Sequence, residues 1–494
     1  MATLFGILRR AAATRQYWVQ ARLSSTAASR QGELIDWVKV NGGSVSHAIS
    51  ISYPNAATGA GLQAAQACKA GDRLVHLPAH CQLTYGDNTS PKLMSLIEKV
   101  PQELWGAKLA LQVLQERCLG TKSFFRHYIS NLPVGVPGIP LFFSQDAIKA
   151  LEEYPPLSQQ VKRRCRWLVS FADGELADAA SSSGDPFEGQ RIDANMLGWA
   201  MAVTTSRAFR VRGPDKPAAQ LPLIDMCNHS FAPNCQVFPG QDGSVDLVAS
   251  RDIQASEPLL LSYGNLSNDF FLLDYGFLVP LNPFDAVAVR FDVAFFQAAN
   301  ALSKQKVDDE ALDTVEDFQE ALLAELKLAG PEADRELMVR RSLPSCSPRA
   351  VAAARILSAQ DAAELAGRSA ESLGQWKQAV SPINEVKALR MLAGVAFFVL
   401  SRFPATLEQD KQLLAGQSAG PLPDDMALAV QFRLGKKQLM AELLHDLANR
   451  IKALAMQPIG RQDSTAAAHH STGNPGKRSY STSTAAWTVK DVLR

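Results

Sequence analysis

Two stretches, Leu223-Ile-Asp-Met-Cys-Asn-His-Ser230 and Ser262-Tyr-Gly-Asn-Leu-Ser-Asn-Asp-Phe-Phe-Leu-Leu-Asp-Tyr-Gly-Phe277, concentrate polar, aromatic and glycine residues as no other part of the chain does. Ser206-Arg-Ala-Phe-Arg210 lies just upstream of them. A zinc site on Cys227, His229 and Cys235 fits poorly. Zinc takes four Cys/His ligands, or three plus water, usually in close pairs, and no fourth ligand is near. Nucleophilic catalysis by Ser230 or Cys227 with His229 fits no better, because neighbours on a strand point apart and no G-x-S-x-G turn surrounds the serine. Gly59-Ala-Gly61 lacks the third glycine of a dinucleotide fingerprint: position 64 is alanine, and no strand–helix–strand unit follows.

Upstream, from Glu33 to about Leu83, short apolar runs alternate with turn residues: Trp37-Val-Lys-Val, Asn41-Gly-Gly, Ala48-Ile-Ser-Ile-Ser, Thr58-Gly-Ala-Gly-Leu and Ala70-Gly-Asp-Arg-Leu-Val-His-Leu-Pro. This reads as a helix end and several short strands. From about Pro91 to Thr205 the period is helical, with Leu104, Ala107, Leu111, Leu114 and Cys118 on one face. Further helices are expected over Ser144–Leu151, bounded by Pro155–Pro156, over Gln159–Phe171 and over Ile192–Thr205, with a polar loop at Ala179–Gly189. Downstream, Pro239-Gly-Gln-Asp-Gly separates two strand-like runs and reads as a hairpin turn. Leu259–Tyr263 reads as a buried strand. Beyond about Pro283 the chain is Ala/Leu-rich and helical over Glu310–Leu328, Ala350–Leu365, Glu385–Phe403 and Asp424–Leu454. The last carries Leu443, Leu444, Leu447, Ile451 and Leu454 as a stripe.

The 494 residues hold 50 Lys+Arg and 49 Asp+Glu, with 47% hydrophobic residues, so several domains with substantial cores are affordable and no overall polycation asks for nucleic acid. No apolar run approaches the ~20 residues needed to span a bilayer. Seven cysteines without a CxxC pair fit a reducing compartment. The near-zero charge averages unlike parts. Residues 1–32 carry Arg9, Arg10, Arg15, Arg22 and Arg30 and no acid, and the remainder holds 45 basic against 49 acidic residues. An Arg-rich, Ser-containing, acid-free start is the composition of an organellar transit peptide. Residues 457–494, rich in Ser, Thr, Ala and Gly, read as a solvated tail, with His469–His470 inside it.

Asn228-His229-Ser230, followed by Tyr263-Gly and Asp274-Tyr-Gly-Phe277, resembles the two signature segments of the SET-domain protein methyltransferases. Asn41-Gly-Gly, Gly59-Ala-Gly-Leu62, Trp105 with its helix, Tyr128-Ile-Ser-Asn-Leu-Pro133, Ser206-Arg-Ala-Phe, Leu223-Ile-Asp-Met and Gln431-Phe-Arg-Leu-Gly-Lys-Lys-Gln-Leu look like the Rubisco large-subunit methyltransferase type. The likeness spans roughly residues 34 to 455. It implies an α+β fold: a β-rich SET domain over 33–284, split by a helical insertion at about 88–205, then an all-α substrate-binding domain over 285–456.

The resemblance also implies chemistry. Such an enzyme moves a methyl from S-adenosylmethionine to a lysine amine of a protein. The cofactor carries the activated group, so the protein's part is to bind, orient and desolvate. Holding two reactants aligned is worth up to roughly 10⁵–10⁸ M in effective concentration. No metal is implied. Tyr263 matches the active-site tyrosine and Tyr275 the second tyrosine, which lines the lysine channel. Thr58, Gly59 and Ala60 match backbone contacts to the cofactor, and Asn228 and His229 match residues that hold it. Phe277 packs on its adenine in this reading. Arg207 touches both cofactor and substrate sides, and Asp225 the substrate side.

Two departures bear on the channel. Where the branch's prototype has a further tyrosine after Asn-His-Ser, Asn234-Cys-Gln-Val-Phe238 offers only Phe238, and the stretch from Tyr263 to Tyr275 is one residue shorter. The substrates implied are Rubisco large subunit or plastid aldolase, in the chloroplast stroma or alternatively the mitochondrion, with the enzyme a monomer and no nucleic-acid or membrane partner. Two rival functions stand beside this one: a non-catalytic SET-derived module that binds a protein, and methyl transfer to a protein histidine.

Overall fold

A computed structural model describes residues 27–55, 59–181, 185–213, 215–302, 315–331, 333–342, 345–416 and 420–456. The expected tail at 457–494, most of the 1–32 leader, Thr58 and the first residues of the Glu310–Leu328 segment lie outside them. The described residues form two units. One runs to Pro280 and includes Leu413–Phe432; the other holds Leu281–Gln412 and the chain from Arg433.

The first unit opens with the Ala27–Val40 helix, followed by strands β1 (Ser44–Val45), β2 (Ile49–Asn55), β3 (Gly59–Ala64) and β4 (Arg73–Leu77). The later strands are β5 (Ala208–Phe209), β6 (Ala219–Gln220), β7 (Asn228–His229), β8 (Cys235–Pro239), β9 (Val245–Ala249) and β10 (Leu260–Leu261). An antiparallel sheet runs in the order β1-β4-β9-β8, and β8 and β9 form the hairpin that Pro239-Gly-Gln-Asp-Gly signals. In β9, Val245, Leu247 and Ala249 are buried in strict alternation, so one sheet face is core. The strand expected over Leu259–Tyr263 shortens to Leu260–Leu261, which pairs in parallel with Asn228–His229.

Between β4 and β5 the chain is helical, and its helix starts have local causes. Ser144 accepts the Ala147 N–H and Asp193 accepts the Met196 N–H, each at an N-cap. Pro155 and Pro156 follow the Gln145–Glu152 helix, as expected, but the next helix begins on them rather than at Gln159. They form the first turn of the Pro155–Phe171 helix, where their missing N–H groups cost nothing. The Trp105–Leu119 helix also departs from a one-face reading. Besides Ala107, Leu111, Leu114 and Cys118, it buries Leu109, Ala110 and Val113, so most of its circumference is core. Burying one leucine there is worth roughly 1.5–3 kcal/mol. Gly106 explains the close fit to the Ala194–Thr205 helix, since a Cβ there would lie 2.6 Å from the Thr205 methyl.

The second unit is helical, built on Asp317–Glu325, Pro348–Ser358, Pro382–Ser401 and the Asp424–Ala455 helix from Arg433 onward. It also contains one antiparallel pair, β11 (Ala286–Arg290) with β12 (Glu336–Arg340), which an all-α reading leaves out. Alternation in Glu336-Leu-Met-Val-Arg buries Leu337 and Val339, but the partners lie about fifty residues apart and carry no hairpin signal. The basic run Arg433-Leu-Gly-Lys-Lys437, which composition would place in water, is buried. Arg433 and Lys437 converge on Asp410, and Lys436 pairs with Asp285 at 2.7 Å. Arg355 makes a two-pronged bond to Glu385 at 2.7 and 2.8 Å and also donates to the carbonyls of Leu373 and Gln375. Among the described residues no helix is long and apolar enough to cross a membrane.

Candidate active site

The two motif segments meet at the parallel β7–β10 pair, where Leu260 lies opposite Asn228 and Leu261 opposite His229. Ser230 N–H donates to the Leu261 carbonyl, extending the pairing by one residue. Buried Asn234 locks the crossing: its side-chain carbonyl accepts Leu260 N–H at 2.7 Å and its amide donates to the Pro258 carbonyl at 2.9 Å. Nothing in the sequence reading singled out Asn234, although an asparagine just after a proline turn is a frequent backbone partner.

Tyr263 leaves β10 pointing back toward the first segment. Its hydroxyl donates to the Cys227 carbonyl at 2.7 Å, and its N–H donates to His229 Nδ1 at 3.1 Å. Its ring stacks on Tyr275, with centroids 4.9 Å apart and planes 22° from parallel. Phe271 and Phe277 complete the group, 5.1 Å apart, and the His229 ring sits 4.8 Å from Phe271 and 4.7 Å edge-to-face from Phe231. Such ring pairs contribute about 0.5–1.5 kcal/mol each beyond area burial. Burial raises the phenol pKa of Tyr263 well above its usual value, and pushes Tyr275 up to about 12 with Asp274 adding to it. Both phenols therefore keep their protons at neutral pH. Burial lowers the His229 pKa, against a smaller opposing contribution from the Leu261 backbone, so its ring is neutral.

Tyr275 is placed by a short π-helical turn, Phe271–Tyr275, closed by Gly276 in the left-handed region at φ 78°. Asp274, part of the Asp-Tyr-Gly-Phe signature, faces away from the rings: it pairs with Arg164 of the insertion at 2.5 Å, and its carbonyl accepts from Thr205. Asn268 brackets the segment, donating to the Val279 carbonyl and accepting the Val279 N–H. Gly276 also meets a second glycine backbone to backbone, since its Cβ would lie 2.8 Å from the Gly138 carbonyl carbon. Gly276→Ala is expected to cost at least about 1–2 kcal/mol from the left-handed backbone alone, with more from the Gly138 contact. A chemical denaturation midpoint within error of wild type would contradict this.

Beneath the rings lies a buried polar cluster. Tyr128 donates to Asp225 Oδ2 at 2.6 Å; Arg207 Nη1 donates to the Asp225 carbonyl at 3.2 Å and lies 3.5 Å from Oδ2. Asp225 is 6% exposed, and its Oδ1 is buried without a hydrogen-bond partner. Burial raises the Asp225 pKa, with Arg207 and then Tyr128 opposing; for Arg207 burial works against the cation, but Asp225 outweighs it and the pKa is raised. Leu223, buried at φ 71° and ψ −50°, sets the sharp turn into Ile224–Met226 that delivers Asp225. Such backbone costs of order 1–3 kcal/mol and persists only where the surroundings over-determine it.

The remaining sequence-selected residues divide. Gly59, Ala60 and Gly61 belong to β3, and a Cβ on Gly61 would lie 2.9 Å from the Asn228 amide nitrogen, so the glycine allows this strand to pass over Asn228. Thr58 lies outside the described residues. Phe238 sits apart, on edge strand β8 opposite Asp246 and 48% exposed, in none of the ring contacts around Tyr263 and Tyr275. Its alternation in β8 turns it to solvent. Cys227 is buried with its thiol pKa raised well above the usual value, first by burial. Among the described residues no three His, Cys, Asp or Glu side chains gather to hold a metal.

This geometry belongs to a recognised class. Residues 59–264 match the SET domain model and residues 310–440 match the model of the Rubisco LSMT substrate-binding domain. The chain therefore carries a SET domain followed by a helical domain of the Rubisco LSMT substrate-binding kind. Among curated proteins it is similar to actin-histidine N-methyltransferases, 24% identical to that of Homo sapiens and 25% to that of Gallus gallus, over 84% of this chain and 68% of theirs. Among solved structures it resembles the SET domain of LSMT bound to MeLysine and AdoHcy, at TM-score 0.62 and 18% identity, over 87% of this chain and 93% of that one. A structure of Rubisco LSMT bound to AdoMet gives TM-score 0.59, with the same identity and coverage.

Proposed function

We propose that this chain is an S-adenosylmethionine-dependent protein methyltransferase whose acceptor is a lysine amine. The observation that carries the reading is the stacked Tyr263–Tyr275 pair, with the Tyr263 hydroxyl committed to the Cys227 carbonyl, directly beside the Asn228–His229 crossing. The described residues fit the cofactor. The Gly59–Gly61 strand lets backbone pass close to Asn228, the half-buried ring of Phe277, backed by buried Phe271, offers an apolar wall, and Asp225 Oδ1 is a buried acceptor without a partner in the protein. When bound, S-adenosylmethionine supplies a methyl group activated by a cationic sulfur.

The chain's own residues then do the following. The Tyr263 hydroxyl spends its proton on Cys227, so its oxygen is left as an acceptor for an N–H or a polarised C–H of the reacting groups. A protonated, high-pKa phenol does not serve as general base, so Tyr263 orients rather than deprotonates. The parallel rings of Tyr263 and Tyr275 form a wall suited to an aliphatic stem with a cationic end. Desolvation there disfavours the ammonium form of the acceptor and helps it shed its proton before attack.

The curated relatives named for actin-histidine methylation favour a second reading, transfer to a protein histidine. Candidate substrates are accordingly actin, as named for those relatives, or Rubisco large subunit and plastid aldolase. The basic, acid-free start supports an organellar address, chloroplast or mitochondrion. The test is incubation of the full chain with isotopically labelled cofactor and an organellar or whole-cell extract, followed by mass spectrometry of the labelled proteins. Label on lysine is the expected result, and label on histidine replaces it with the second reading. Cofactor binding with no label in any protein would leave a non-catalytic protein-binding module.

A further inference from the structure

We propose that Arg164 is a positioning residue for methyl transfer. Through Asp274 it holds the Tyr275 ring in its stack on Tyr263, so that a residue of the helical insertion sets the rate from outside the reacting centre. This rests on the methyltransferase reading. Tyr275 ends the Phe271–Tyr275 π-helical turn, a rare geometry that recurs at functional sites. Phe271, Leu272 and Leu273 are buried and anchor the start of that turn, whereas Asp274, Tyr275 and Gly276 are only half-buried. Three separate parts of the insertion hold this looser end. Arg164, on the Pro155–Phe171 helix, donates from Nη1 to Asp274 Oδ1 at 2.5 Å, and the same nitrogen lies 3.5 Å from the Leu273 carbonyl. Thr205, closing the Ala194–Thr205 helix, donates to the Asp274 carbonyl at 3.2 Å. Gly138 packs backbone to backbone on Gly276. Both neighbours of Tyr275 in the chain are therefore tied to the insertion.

Of these ties the Arg164–Asp274 bond is the ionic one. Its side chains are 19% and 18% exposed, so water and salt screen the pair less than an ordinary surface ion pair. A charge-assisted hydrogen bond is roughly twice as strong as a neutral one. Losing it releases the Asp274 side chain and loosens the backbone position that aims Tyr275. The stacked rings have centroids 4.9 Å apart. A misplacement of about 1 Å at a reacting centre costs up to about 100-fold in rate. The bond runs through a single guanidinium nitrogen, so a lysine ammonium, a point charge on a flexible stem, can stand in for it.

The test compares Arg164→Met, Arg164→Lys, Asp274→Asn and the Arg164→Met/Asp274→Asn double variant, each in the full chain. Kinetics use labelled S-adenosylmethionine and, as substrate, the most strongly labelled protein purified from the extract. Arg164→Met and Asp274→Asn are each expected to lower kcat by about 10- to 100-fold, with S-adenosylhomocysteine affinity by calorimetry within about threefold of wild type. Arg164→Lys is expected to recover most of the lost kcat. The double variant is expected to be no slower than the worse single one, because the two residues act as one pair. A second readout does not depend on turnover: fluorine NMR of the chain labelled with 3-fluorotyrosine, with Tyr275 and Tyr85 assigned through Tyr275→Phe and Tyr85→Phe. In S-adenosylhomocysteine-loaded Arg164→Met the Tyr275 resonance is expected to move or broaden while that of Tyr85 keeps its place, and Arg164→Lys returns it.

Wild-type kcat in Arg164→Met overturns the proposal, and with a lowered unfolding temperature it marks a merely stabilising pair. A loss that Arg164→Lys leaves unrepaired overturns it too, as does a fall in cofactor affinity equal to the fall in kcat, or an unmoved Tyr275 resonance. If Arg164→Met does not fold, Asp274→Asn, which keeps the side-chain volume, decides by the same readouts. Absence of label in any protein with the wild-type chain sinks the methyltransferase reading and the rate effect built on it. The Tyr275 resonance then still decides separately whether Arg164 aims that ring.

Discussion

Tyr263→Phe is expected to lower turnover by about 100-fold or more, the usual cost of removing one preorganised polar group from the reacting centre, while S-adenosylhomocysteine affinity stays within a few-fold of wild type. The ring is retained, so the 4.9 Å stack on Tyr275 and the backbone N–H bond to His229 survive. What disappears is the oxygen. Its proton is donated to the Cys227 carbonyl, which leaves its lone pairs to meet reacting groups. The loss therefore belongs in kcat and kcat/KM together, with little change in ground-state binding. Single-turnover kinetics with labelled cofactor measure this directly on whichever substrate the extract experiment supplies. Turnover within threefold of wild type would remove Tyr263 from the mechanism.

Asp410→Asn carries the largest expected effect on stability. Asp410 is fully buried, and Oδ1 accepts from Arg433 Nε at 3.0 Å and Nη2 at 2.6 Å while Oδ2 accepts from Lys437 at 2.7 Å. The amide keeps the volume but removes the negative charge between two buried cations. Breaking a buried ion pair from one side costs about 3–5 kcal/mol. In a unit of this size that corresponds to a fall in its unfolding temperature of roughly 6–20 °C. Asp446→Asn is the control, because Asp446 pairs with Arg450 one helical turn away at a part-exposed site and its loss is worth about 0.5 kcal/mol or less. Differential scanning calorimetry that ranks the two variants equally would contradict the burial argument.

These two predictions stand on features that differ in how far the sequence exposes them. Tyr263, Tyr275, Asn228 and His229 are legible from motif order, and the hairpin at Pro239–Gly243 and the caps at Ser144 and Asp193 are legible from turn and capping chemistry. Asp410 is not. It looks like any acid in a polar helix, and the Arg433–Lys437 run looks like a solvated face until the fold buries both. Asp274 shows a subtler gap. It belongs to the Asp-Tyr-Gly-Phe motif that carries the resemblance, yet its side chain pairs with Arg164 and holds the turn that aims Tyr275.

Strand alternation, helix starts, the glycine turns and the ordered motif that points to a SET domain can all be read from short stretches of the chain. These depend on residues within a few positions of each other, where backbone sterics and side-chain period dominate. What those pieces do together is set by long-range packing. Tyr128 reaches Asp225 across 97 positions of chain, Arg164 reaches Asp274 across 110, and Lys436 reaches Asp285 across 151. The strength of each such bond depends on how completely water is excluded from it. Exclusion is a property of the packed interior, and no local stretch of sequence carries it.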